Sequence, residues 1–192
     1  MLTIDDAEYR KHMASVVEEG FTLDPPGYER LSAWTHLLMH LFTARANFER
    51  VANDAIELGD IGKSVEQQAH FVAGIVAYCR CYASTGSAIP KLDARQVYAG
   101  STDGMEVHDR LMFLRNTFAA HADRNDLVRV TLAVRNEAVR IIVRHIMTSA
   151  MPIPEIPDFL EAVAHTEHFV IVSLNKQLDK TGAKIGKKIT LD

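Results

Sequence analysis

The stretch Leu114-Arg115-Asn116-Thr117-Phe118-Ala119-Ala120-His121-Ala122-Asp123 runs from the middle of an amphipathic helical pattern into a polar break. Before it, Met105, Leu111, Met112, Leu114, Phe118 and Ala119 recur at helical spacing. After Asn125 the period becomes two, with Val128, Val130, Leu132 and Val134 alternating against Arg129, Thr131 and Ala133. The stretch thus closes a helical body and precedes a pair of strands. It also gathers a fixed cation, an amide and an imidazole near a helix end. Arg115 offers a planar fork of donors suited to a phosphate, Asn116 can orient a hydroxyl or a water, and His121 exchanges a proton near neutral pH. Cleavage of a phosphodiester by a neighbouring 2′-hydroxyl needs these parts where no metal supplies the charge. The plain alternative is that Arg115 is a solvated helix residue and His121 a helix-end histidine favoured by the dipole.

An ideal helix sets a condition on that chemistry. The six positions from Arg115 to His121 advance it by roughly 240°, and the five from Asn116 by roughly 140°, which separates the three side chains. To meet on one phosphate, they need the helix to end or bulge between Phe118 and His121, or they must come from two protomers. Ala119 and Ala120 are small enough for another backbone to approach closely.

Towards the N-terminus the pattern is helical throughout. Thr3 and Asp6 resemble a capping box, and Tyr9, Met13, Val16 and Val17 give a short helix one apolar face before Gly20. Pro25-Pro26-Gly27 breaks the chain. Leu31, Trp34, Leu38, Leu41, Phe48, Ala52 and Ile56 then form one stripe up to Gly59, which predicts a helix of roughly 45 Å. Ser64 and Gln67 read as the capping box of the next helix, carried by Val65, Phe71, Val72, Ile75, Val76 and Tyr82. From Ser84 to Gly104 a polar loop leaves room for one short turn of helix near Asp93 to Tyr98.

On the other side, Val139, Ile141 and Val143 alternate with Arg140, Ile142 and Arg144, so the two alternating runs predict a β-hairpin turning near Asn136. After Met151-Pro152-Ile153-Pro154, the residues Ile156, Leu160, Val163, Val170, Leu174 and Leu178 predict a last helix ending near Gly182. The fold class is therefore mainly α: an antiparallel bundle of about four long helices with a β-hairpin before the C-terminal helix. Residues 1–182 are expected to form one domain, and residues 183–192, with Lys184, Lys187 and Lys188, a frayed basic tail.

At 192 residues and 47% hydrophobic composition, the chain can bury one sizeable core and not two comfortable ones. Its net charge of -4 excludes a polyelectrolyte partner for nucleic acid, so any phosphate site must come from local clustering. No leader-like or membrane-length apolar run is present, and a cytoplasmic location is expected. Cys79 and Cys81 lie about 200° apart on a predicted helix, cannot pair there, and read as reduced packing residues.

Arg115, Asn116 and the four residues that lead to His121 resemble the signature of the HEPN superfamily of helical RNA-associated domains. Ala77-Tyr78-Cys79-Arg80-Cys81-Tyr82 resembles that family's aromatic-x-Arg helix ending, and Asp123 follows the histidine as it does there. The similarity spans roughly Tyr28 to Asp126 and is nearest the abortive-infection-like branch. It implies a helical bundle, usually homodimeric, often a metal-independent endoribonuclease and sometimes a toxin, although inactive members that only bind RNA are common. The expectation is thus an endoribonuclease of the toxin or antiphage-defence kind, acting without cofactor on single-stranded or loop RNA. In it His121 is the general base, Arg115 stabilises phosphate charge and Asn116 orients the attacking group. Expected partners are RNA, an antitoxin protein and a second copy of the chain, with no membrane. Alternatives are a catalytically silent homodimer binding RNA or a protein partner, and third a histidine-lined metal-binding bundle.

Other clusters compete. Arg110, Arg115, Arg124, Arg129, Arg135, Arg140 and Arg144 make the motif and hairpin region locally positive. Most of these form a solvated face; Arg80, Arg124, Arg129, Arg140 and Arg144 are the candidate RNA contacts. His36 and His40, at i,i+4, could hold a metal, as could Glu161, His165 and His168, but neither set has an evident further ligand nearby in sequence and no metal is expected.

Overall fold

The computed structural model describes residues 6–23, 25–54, 60–83, 91–119, 128–149 and 151–191. In chain order the elements are α1 (Asp6–Glu18), α2 (Glu29–Asn53), α3 (Ile61–Arg80), α4 (Ala94–Val97), α5 (Thr102–Ala119), β1 (Val128–Asn136), β2 (Ile141–Ser149), a 3-10 turn (Ile153–Glu155) and α6 (Ile156–Ile185). The chain is mainly helical, with a two-stranded antiparallel hairpin before its C-terminal helix.

α2, α3, α5 and α6 close a square in which α2 and α5 each pack against both α3 and α6. Pairs of contacts fix the directions. Gln67 meets Val51 while Cys81 meets Leu37, so α3 runs antiparallel to α2. Phe71 meets Phe118 while Tyr78 meets His108, so α5 runs antiparallel to α3. Phe48 meets Phe159 and Arg45 pairs with Glu167, so α6 also runs antiparallel to α2. One end of the core is aromatic, with ring centroids 5.7 to 6.5 Å apart among Phe48, Phe71, Phe118 and Phe159. Tilted pairs of this kind contribute about 1 kcal/mol each beyond area burial. α2 and α3 approach closely at Gly74, where an added Cβ would stand 2.8 Å from the Phe48 ring.

The predicted stripe on α2 is only partly the buried one. Leu31, Leu41 and Phe48 are buried, but so are Leu37, Ala44 and Val51, while Ala52 is exposed and Ile56 lies outside the described residues. α2 lies between two neighbours, so its buried surface is wider than a single stripe and turns from α6 towards α3. Gln67 corrects a second expectation. α3 begins earlier, at Ile61, with the Asp60 carboxylate accepting from Lys63 N at 3.0 Å. Buried Gln67 instead donates from Nε2 to the carbonyls of Val51 and Asp54, both at 3.3 Å, and so caps the end of α2.

The segment expected as a polar loop also feeds the core. Asp93 caps α4 through Arg95 N at 3.0 Å, as the short turn requires, and Leu92, Val97 and Tyr98 are buried. At the other terminus α6 passes Gly182 and ends at Gly186, whose φ of 68° is left-handed. Gly182 lies inside the helix because the chain turns back over it: a Cβ there would stand 2.6 Å from the Lys187 carbonyl oxygen. Ile189 then packs on Leu31, Leu174 and Leu178, so the tail is anchored at that residue rather than frayed throughout.

The hairpin pairs Asn136 with Ile141, which puts the turn at Glu137 to Arg140 and places Val139 in it rather than in the second strand. Leu132, Val134, Ile141 and Val143 share one face and are all half exposed or more. Among the hairpin residues whose side chains are described, none belongs to the buried core. α1 likewise buries no residue, so its predicted apolar face of Tyr9, Met13, Val16 and Val17 has no buried contact in the described chain.

Candidate active site

Arg115 lies one turn after buried Leu111, about 40° further round α5, which carries it to the flank facing α3. The Cys79 thiol approaches the Leu111 carbonyl at 3.7 Å from that side. Burial pushes the Cys79 thiol up to about 12, against a smaller opposing pull from the Arg115 charge. Burial likewise raises Cys81 to about 12. Both thiols are buried and free, so neither is a nucleophile. Arg115 is half-buried and has no ion pair or hydrogen bond with any described residue, and Asn116 beside it is exposed. A guanidinium can hold an anion through its planar fork of donors.

His121 and Arg124 lie outside the described residues, and α5 is helical as far as Ala119. Arg80 is the exposed last residue of α3. The Cys79 thiol turns to α5, and Arg80 follows it about 100° further round α3. Arg129 is opposite Thr148 in the hairpin register, and exposed Arg144 is opposite Ala133. Arg140 in the turn is paired with Glu137 at 2.7 Å, and Arg135 holds the same carboxylate at 2.9 Å. Arg110 pairs with Glu155 through two contacts of 2.8 and 2.9 Å, fixing α5 to the turn before α6. The hairpin cation without such a carboxylate, among the described side chains, is Arg144.

A buried polar network has no signature in the sequence. The Tyr78 hydroxyl is 2.8 Å from the Tyr98 hydroxyl and 2.9 Å from His108 Nδ1. The Thr166 hydroxyl is 2.8 Å from that of Tyr82 and 2.9 Å from that of Tyr98, and both Thr166 and Tyr98 donate to the Ala162 carbonyl. The following proton arrangement gives every hydroxyl an acceptor. His108 Nδ1–H donates to Tyr78, Tyr78 to Tyr98, Tyr98 to Ala162, Tyr82 to Thr166, and Thr166 to Ala162. Burial holds His108 below the usual imidazole value, with Asp109 opposing, and raises the phenols of Tyr78 and Tyr82. These shifts keep His108, Tyr78 and Tyr82 neutral at pH 7, and the network specifies packing rather than chemistry. His108 is legible in the sequence only as a position three before Leu111, on the core side of α5.

Among the described residues no three His, Cys, Asp or Glu side chains converge as a ligand set. The His165 ring stacks on Tyr98 with centroids 5.0 Å apart, and its Nε2 donates to the Val97 carbonyl at 2.8 Å. No helix among the described residues is long and apolar enough to cross a membrane. Comparison with protein families, with curated proteins and with solved structures returns no match for this chain.

Proposed function

We propose that the chain is a HEPN-like, metal-independent endoribonuclease of the toxin or antiphage-defence kind, working in the cytoplasm. The observation that carries this reading is Arg115: a half-buried guanidinium with no carboxylate among the described residues, beside an exposed amide. His121 takes the proton from the 2′-hydroxyl, Asn116 orients that hydroxyl, and Arg115 holds the phosphate oxygens as negative charge grows on them. Because Arg115 sits on one flank of α5, a second copy of the chain with its His121 close by would complete a cleft about a two-fold axis. The exposed apolar face of the hairpin supports the alternative of a silent dimer that binds RNA or a protein such as an antitoxin.

The test is growth on expression, followed by RNA cleavage with the purified chain. Wild type should arrest growth and cut single-stranded RNA in excess chelator. Arg115→Ala and His121→Ala should each lose at least about a hundredfold in rate, and Asn116→Ala less. An intact RNA with wild type, with and without divalent ions, would end the nuclease reading. Light scattering that finds only monomer at micromolar concentration would end the dimer.

A further inference from the structure

By register, Leu132, Val134, Asn136, Ile141, Val143 and His145 share one face of the hairpin, and Arg135 and Arg144 stand on the other. The first face carries no arginine, lysine or carboxylate among its described side chains, and its four aliphatic members are 50 to 64% exposed. A two-stranded hairpin is marginal in water by itself and needs a further layer against its apolar face. The bundle does not supply that layer, since none of the hairpin's described side chains belongs to the core. Charge decides what can. Residues 128–149 hold four arginines against one glutamate, in a chain whose net charge is -4. An RNA strand would go to the arginine side, because the apolar face offers it neither a fixed cation nor an aromatic ring. The face therefore calls for an uncharged protein surface, and a second copy supplies one of the same length, width and character. Two hairpins stacked apolar face to apolar face lie about 10 Å apart. Their arginines then stand on the two outer sides, farther apart than the Debye length of about 8 Å. Any other stacking of the two hairpins would bury an arginine or set like charges together. Each strand has nine residues, so the strip is roughly 30 Å long and two strands wide. That is smaller than the ~800 Å² per partner of a standard interface, which sets the association at about micromolar rather than obligate.

We propose that this face is a homodimer surface: the hairpins of two copies stack across a two-fold axis through Leu132, Val134, Ile141 and Val143. β1 follows α5 by eight residues in the chain, so each α5 end is tethered within roughly 30 Å of the stacked hairpins. The surface rests on the reading above only for the use of that two-fold, as a cleft shared by two His121 side chains.

The experiment is sedimentation velocity on the full chain over a concentration series, at low and high salt, with RNA cleavage measured on the same samples. Wild type should dimerise at micromolar concentration. Salt should not loosen the dimer, because the contact holds no ion pair and the outward arginines repel less when screened. Val134 pairs with Val143 in the central one of the three described rows. Val134→Lys and Val134→Glu should each weaken the dimer at least about a hundredfold by placing like charges across the axis. Mixing the two variants should restore it, which a misfolded hairpin could not do. Ala133→Glu, a charge placed on the arginine face, should dimerise as wild type does. Wild type that stays monomeric at tens of micromolar overturns the proposal, and so does a mixture that stays monomeric. A Val134→Lys chain that dimerises as wild type does overturns it too; if that chain also cleaves RNA, the surface falls and the nuclease reading stands. A dimer that Val134→Lys disrupts, in a chain that leaves RNA intact, overturns the nuclease reading alone.

Discussion

Thr166→Val isolates the hydroxyl on which the buried network turns. Thr166 is fully buried, and its oxygen is the partner of Tyr82 at 2.8 Å and of Tyr98 at 2.9 Å. Valine keeps the shape and removes the oxygen. Tyr98 retains Tyr78 and the Ala162 carbonyl, but Tyr82 is left with no hydrogen-bond partner among the described residues. Losing one net hydrogen bond costs about 1 kcal/mol, and stranding a buried hydroxyl costs about 1 to 3 kcal/mol, so Thr166→Val should destabilise by about 2 to 3 kcal/mol. In a chain of this size that is a fall in Tm of about 4 to 12 °C. Tyr82→Phe strands nothing, since Thr166 still donates to Ala162, and should cost about 1 kcal/mol. In the Tyr82→Phe background, Thr166→Val then removes no partner from a buried phenol and should cost only about 1 kcal/mol. Urea unfolding of the four proteins would give a coupling of about 1 to 2 kcal/mol. Additive costs within about 0.5 kcal/mol would refute the proton arrangement, because Tyr82 would then have another partner.

Acidification should destabilise through His108. Its folded-state value is lowered by burial, so the neutral form's contribution is complete above the unfolded value, about 6.5, and is lost as pH falls through the lower folded value. The urea midpoint of wild type should drop between pH 7 and pH 5 more than that of His108→Gln; equal drops would remove His108 as the cause. Replacing residues 128–149 by a short Gly-Ser linker should leave Tm within about 3 °C, since none of the hairpin's described side chains belongs to the core. A larger loss would mean that the hairpin is integral to the bundle. Asp60→Ala should cost about 1 kcal/mol by uncapping α3, whereas Ser64→Ala, at the cap expected from sequence, should cost less. The reverse order in thermal melts would restore Ser64 as the cap.

Periodicity makes the long helices and the alternating strands legible, because each is a local pattern repeated over many residues. Asp93 is legible for the same reason, its cap being two residues from the amide it serves. What escapes is non-local. Gln67 satisfies the spacing of a capping box, yet its amide is taken by carbonyls of the previous helix. Gly182 and Gly186 are alike as letters. Only the return of Lys187 over the helix shows that the first makes room and the second turns the chain. Leu92, Val97 and Tyr98 sit too near breakers to display a period, and reach the core because α4 lies against α5 and α6. The rotational setting of Arg115 follows from Leu111 and Leu114.

The Gln67 side chain also ties two helices into one kinetic event. The closing carbonyls of α2 are served from within the second turn of α3, so the end of α2 is incomplete while α3 is undocked. Fraying, which normally begins at a helix end for little free energy, here requires a helix pair to separate. The amides that close α2 should therefore exchange with solvent as a single unit with the α2–α3 interface.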